Sequence, residues 1–138
     1  MGVRREGREH AVQALYAVEL NPSQPREAIA LFWETEQFKS APKGFATELL
    51  AGILEHSKDI DAKIAEKSPN WSVSRMAKID LAIIRVAAFE LLYRPDIPKN
   101  VTINEAVEIA KKYGTEDSAA FVNGILDEIA RSLPEKAS

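Results

Sequence analysis

Apolar residues recur along this chain at intervals of three and four almost from end to end, the spacing of helices packed on one face. No stretch alternates apolar and polar residues as a half-buried strand does. A first helix is predicted over about residues 4–20, with Ala11, Leu15 and Val18 on one stripe and Asn21-Pro22 and Pro25 ending it. A second, over about 26–40, carries Ile29, Phe32 and Trp33 and is closed by Pro42. Leu49, Ile53, Ile60 and Ile64 predict one long amphipathic helix, or two in series, over 44–67. Ser68-Pro69-Asn70-Trp71 reads as a connector. From about 75 to 94 the chain is apolar round most of a helical circumference, so this helix belongs at the centre of a bundle. Pro95 stops it, and Pro98 keeps the next residues extended.

Thr102 and Glu105 have the spacing of a capping box, which would start a helix at Thr102. That helix ends at Gly114, and Thr115 is placed to cap the last one, over about 116–132, which packs Phe121, Val122, Ile125 and Ile129. Gly124 weakens that helix and is expected to admit another helix closely; the tail after 133 is expected to fray. The expectation is a single all-α domain over residues 1–138. It has six or seven helices in two small bundles, residues 4–67 and 72–132, meeting near 68–72.

Composition adds mainly exclusions. The chain has 138 residues, 46% apolar and 28% charged, with no cysteine. Disulfides and thiolate chemistry are therefore out, and a reducing cytoplasm is the expected location. No apolar run reaches the ~20 residues of a membrane span, and no membrane partner is expected. His10 and His56 have no metal-ligand spacing, and neither a glycine-rich phosphate loop nor a nucleophile elbow occurs. No cofactor, no metal and no enzyme activity are expected.

The net charge is −3, yet residues 1–10 hold Arg4, Arg5 and Arg8 against Glu6 and Glu9. Arg4 and Arg8 share an azimuth with Ala11 and Leu15, so the core stripe is basic in its first turns. Arginine does not continue a dry core, and this end is expected to overhang the body. Three guanidiniums also oppose the helix dipole, at ~0.3–1 kcal/mol per exposed charge. A segment that meets phosphates tolerates that cost, because arginine presents a planar fork to phosphate oxygens. Tyr16 flanks the same side, and charge beside an aromatic ring is the minimal kit for single-stranded nucleic acid. A solvated helix end and a core-edge tyrosine are the plainer readings.

The segment RREGREHAVQALY at 4–16 resembles the opening of the bacterial NusB family, R-R-x-A-R-x-x-A-x-Q-A-L-Y. The resemblance continues through Asn70-Trp71, Arg75, Ile79-Asp80, AIIRVAAFEL at 82–91, INEAVEIAKKYG at 103–114 and FVNGILDEIA at 121–130. It implies an all-helical, non-catalytic transcription antitermination factor. Such a factor binds the single-stranded boxA element of ribosomal RNA transcripts with NusE, a small-subunit ribosomal protein. The complex joins RNA polymerase with NusA and NusG. By position the resemblance puts Arg4, Arg5, Arg8, Tyr16, Arg85, Asp117 and Phe121 at the RNA and Asp80 at NusE. With few basic residues on that face, binding is expected to be weak alone and tighter with NusE.

Two positions depart from the pattern. Gly7 replaces the usual alanine, so the first turn is expected to order only with RNA; Leu81 replaces a frequent Arg or Lys, which puts the local partner contact in doubt. Rival readings stay open at this stage. Arg85 is poorly aligned with Asp80 or Glu90 on its own helix, so it needs a partner elsewhere or an exposed head. Asp117 suits a helix start whatever its function, and Phe121 suits a core. The alternative function is a helical protein-interaction module or homodimer without RNA readout, using Trp33, Phe38 and Phe45.

Overall fold

The computed structural model describes residues 3–35, 38–39 and 43–136. Among them are seven α-helices and no strand: α1 (Val3–Leu20), α2 (Pro25–Glu34), α3 (Gly44–Glu55), α4 (Ser57–Glu66), α5 (Lys78–Tyr93), α6 (Lys99–Tyr113) and α7 (Ser118–Arg131). Pro25 stands in the first turn of α2, where its missing N–H is no loss. That helix ends at Glu34, with both the amide and the hydroxyl of Thr35 donating to the Phe32 carbonyl. The proposed stop at Pro42 lies outside the described residues. The 44–67 segment is two helices in series, broken at His56, whose ring stacks 3.9 Å from that of Tyr93. In the 68–71 connector Ser68 Oγ donates to the Ile64 carbonyl at 2.8 Å. A single 3-10 turn, Val73–Arg75, precedes the central helix, which starts at Lys78 and not near 75.

α5 is central, as its all-round apolar surface predicts. Every residue from Asp80 to Leu91 except Arg85 is buried. α1, α3 and α4 pack on it from the first half of the chain, and α6 and α7 from the second. Fully burying an isoleucine or leucine such as Leu81, Ile83 or Ile84 contributes ~1.5–3 kcal/mol, so this one helix supplies much of the core. The end of α5 and the turn after it are held from the far end of the chain. Lys136 Nζ donates to the carbonyls of Glu90, Arg94 and Ile97 at 3.1, 2.8 and 2.6 Å, so the expected fraying does not extend to this residue.

Three local expectations are corrected. α6 begins at Lys99, not Thr102, and the capping box is not used as one. Thr102 is buried and donates to Glu90 Oε1 at 2.7 Å, while Glu105 holds Arg5. Residues three apart share a helix face, so the same spacing serves contacts to other helices equally well. At the start of α7 the direction of capping is reversed: the Thr115 amide donates to Ser118 Oγ at 2.9 Å. Gly124 is exposed, and a Cβ built there meets nothing within 4 Å, so it admits no neighbouring helix. Gly124→Ala is therefore expected to stabilise the protein by ~0.5–1 kcal/mol through helix propensity. A higher urea midpoint at unchanged slope is the expected reading; a lower midpoint would show that position 124 is packed.

Candidate nucleic-acid interface

The start of α1 does not overhang; it is moored by carboxylates from other helices and loops. Arg4 is half exposed, with Nη2 3.4 Å from Asp96 Oδ2. Arg5 lays its Nε and Nη2 on the two oxygens of Glu105, at 2.8 and 2.6 Å. Arg8 is 4% exposed and donates through Nε and Nη2 to Glu90, itself fully buried, at 2.7 and 3.0 Å. The expectation of a solvent-facing Arg8 is thus corrected. Its core stripe does continue through an arginine, because Glu90 neutralises the charge and Thr102 supplies a further hydrogen bond.

The helix runs unbroken from Val3, and Gly7 is not an exposed weak point in its first turns. Gly7 is buried instead, and a Cβ there would lie 3.1 Å from the Phe45 ring and 3.3 Å from the Ala46 amide, so its role is to let α3 approach α1. Around the Phe45 ring stand the guanidinium carbons of Arg4, Arg8 and Arg94, at 5.0, 5.4 and 5.5 Å. Arg94 also grips Asp96 with a two-toothed contact at 3.0 Å, and its hydrogen bonds hold the Asp96 carboxyl down to about 2. Arg5 likewise keeps the Glu105 carboxyl below its ordinary value through hydrogen bonds.

Further along α1, Tyr16 is 43% exposed, which favours a free ring over a core-edge one. One turn beyond it Glu19 accepts from Arg85 Nη1 at 2.7 Å, and Asp61 of α4 takes the Nε and Nη2 of the same arginine, both at 2.9 Å. Arg85 thus finds its partners on other helices, not at Asp80 or Glu90.

Asp80, Asp117 and Phe121 come together with Trp71, Arg75, Met76 and Ala77 around an open cleft of about 270 Å³. The exposed Trp71 meets the half-buried Phe121 edge-on, with ring centres 6.2 Å apart. Asp80 is buried and its Oδ1 has no hydrogen-bond partner among the described residues. Asp117 is exposed just before α7 and makes no side-chain capping bond. Sequence reasoning passed over Trp71 and Arg75 as site residues; a tryptophan in a polar connector was the available signal. Leu81 points into the core at 2% exposure, so in this chain position 81 contributes nothing to that surface.

The aromatic residues considered for dimerisation turn inward. Phe38 is buried and stacks on Phe32 with ring centres 4.3 Å apart, and Trp33 packs edge-on to Phe32 and His10. Among the described residues no group of three His, Asp or Glu side chains could hold a metal ion, and no helix is long and apolar enough to cross a membrane.

The family model described as "NusB family" matches residues 5–131. The transcription antitermination protein NusB of Geotalea daltonii is 56% identical, over 99% of this chain and 99% of its own. A solved T. maritima NusB superposes with a TM-score of 0.82 at 38% identity, covering 94% of this chain and 92% of that one. A structure of antitermination factors NusB and NusE in complex with double-stranded RNA shares the fold, with a TM-score of 0.82 at 24% identity over 94% of this chain and 97% of that one.

Proposed function

The chain belongs to the NusB family, and on that premise we propose that it is a transcription antitermination factor. In this reading it binds single-stranded boxA RNA of ribosomal RNA transcripts together with NusE, and the assembly joins RNA polymerase with NusA and NusG. The function is one of binding, without a catalytic step, and it is exercised in the cytoplasm. The observation that carries it is the match along the whole chain to transcription antitermination protein NusB.

The geometry supports a division of roles. Arg4 and Arg5 keep part of their guanidiniums at the surface for phosphates, and Tyr16 offers an exposed ring for a base. Arg8 acts from within as a positioning residue, fixing α1 against Glu90. Arg85 does the same further along, joining α1 and α4 to α5. In the cleft Phe121 supplies a second ring and Asp117 a hydrogen-bond acceptor for a base. Asp80, with an oxygen still to be satisfied, faces NusE.

Fluorescence anisotropy of a labelled boxA-like RNA, with and without NusE and at two salt concentrations, tests this reading. The wild type is expected to bind weakly alone and more tightly with NusE, losing affinity as salt rises. Arg5→Ala is expected to weaken binding about three- to tenfold, roughly 1 kcal/mol, with little change in melting temperature because its ion pair is at the surface. No binding by the folded protein with NusE present would overturn the reading.

A further inference from the structure

We propose that Glu105 sets the RNA affinity of the arginine end, by occupying on Arg5 the bidentate edge that a phosphate would use. The proposal rests on the RNA-binding reading above. Arg5 is the more exposed of the two arginines that α1 pairs bidentately, yet its Nε and Nη2 both lie on Glu105 oxygens. A phosphate oxygen pair recognises the same fork geometry, so the two acids compete for one site.

The position of Glu105 makes the competition direct. It does not cap α6 and it does not enter the core; it projects from α6 toward α1. The two pairs at this end differ in one respect that decides their roles. Arg8–Glu90 is sealed, with side chains 5% and 0% exposed, and opening it would strand two charges in the core. Arg5–Glu105 is only partly buried, at 37% and 17% exposure, so a change of partner at Arg5 exposes its charges to water instead of stranding them in the core.

The surroundings repeat the pattern. Arg5 lines an open cleft of about 290 Å³ between α1 and α6 with Lys111 and Lys112. Lys112 Nζ is 2.9 Å from Glu9 and Lys111 Nζ is 3.4 Å from Glu108. Each cation of the cleft therefore already faces a carboxylate. An RNA backbone entering it therefore meets cations whose charge is already partly offset, and at Arg5 the two-toothed edge is open to it only when Glu105 lets go.

Exchange has a signature in salt dependence. The Arg5–Glu105 pair is itself screened as salt rises, so its competition eases while the phosphate contact weakens. The contribution of Arg5 to the salt slope is thus reduced in the wild type. Glu105→Gln keeps the side chain's size and one acceptor while removing the competing charge. It is expected to tighten RNA binding about three- to tenfold at low salt and to steepen the log–log slope by part of the ~0.7 that one phosphate contact contributes on a single strand.

The experiment is the same anisotropy titration, with NusE present, on the wild type, Glu105→Gln, Glu6→Gln and Arg5→Ala/Glu105→Gln. Glu6 is an exposed neighbour of Arg5 on α1, so its amide variant changes net charge equally and measures the general electrostatic gain. Support requires that Glu105→Gln exceed Glu6→Gln in both affinity and slope, and that the excess vanish when Arg5 is alanine. If the wild type binds RNA and Glu105→Gln binds no better than Glu6→Gln, or more weakly, Glu105 positions Arg5 instead and the proposal fails alone. If the wild type shows no binding, the RNA reading fails and takes this proposal with it. Thermal melts of each variant establish that the compared proteins are folded.

Discussion

Glu90→Ala is expected to cost about 3–5 kcal/mol of folding stability, a large share of the ~5–15 kcal/mol that holds an ordinary domain folded. The reason is what the substitution leaves behind. Arg8, at 4% exposure, would keep a guanidinium with no counter-charge, and the buried Thr102 hydroxyl would lose its acceptor. Breaking one side of a buried pair is far worse than never having had it. The triple replacement Arg8→Met, Glu90→Leu and Thr102→Val removes all three polar groups together and is expected to come out near neutral. Urea denaturation of both variants checks the argument. A cost below 1 kcal/mol for Glu90→Ala would mean that water reaches the pair.

Gly52→Ala is expected to cost about 1–3 kcal/mol, although alanine is the better helix former. α3 crosses α5 at this residue, and a Cβ on Gly52 would come within 2.2 Å of Phe89 Cζ and 2.3 Å of its Cε1. Phe89 is 6% exposed and its ring stacks against Tyr93 at 5.6 Å, so it cannot swing clear without disturbing the His56–Tyr93 stack as well. Gly124→Ala is the internal control: the same exchange, in a helix, with open space around it. Opposite signs at the two positions are the expected result. Equal signs would show that propensity, not the crossing, governs position 52.

What the sequence made legible and what it hid divide along one physical line. The central position of α5 could be read because an apolar circumference is a property of consecutive residues. The family blocks and the helical class of each segment could be read for the same reason, though several helix ends could not. The role of Arg8 could not, because its counter-charge is 82 positions away and nothing near either residue announces the other. Thr102 and Glu105 show the same limit from the opposite side. Their spacing has a local meaning as a cap, but each was engaged by a distant residue, Glu90 and Arg5. For Arg85 periodicity ruled out the partners on its own helix and left the true ones, Asp61 and Glu19, to be found in the structure. The break between α3 and α4 lay hidden because Leu49, Ile53, Ile60 and Ile64 fit one helix or two equally well. The cleft of Trp71, Asp80, Asp117 and Phe121 draws on three separate segments, and only packing assembles it.

The moorings of α1 also carry a meaning for the order in which the chain takes shape. Arg4, Arg5 and Arg8 are held by Asp96, Glu105 and Glu90, so closing these contacts joins residues 92, 100 and 82 positions apart. A ribosome that has delivered only α1 to α3 has made every arginine of that helix and none of the three acids that hold them. Until the later helices emerge, the earliest part of the chain is its most cationic and least satisfied surface, and contacts of such long range are the slow ones to form. The helix written first can pack early on α2 and α3, but its arginines are fastened only when α5, α6 and the turn between them are made.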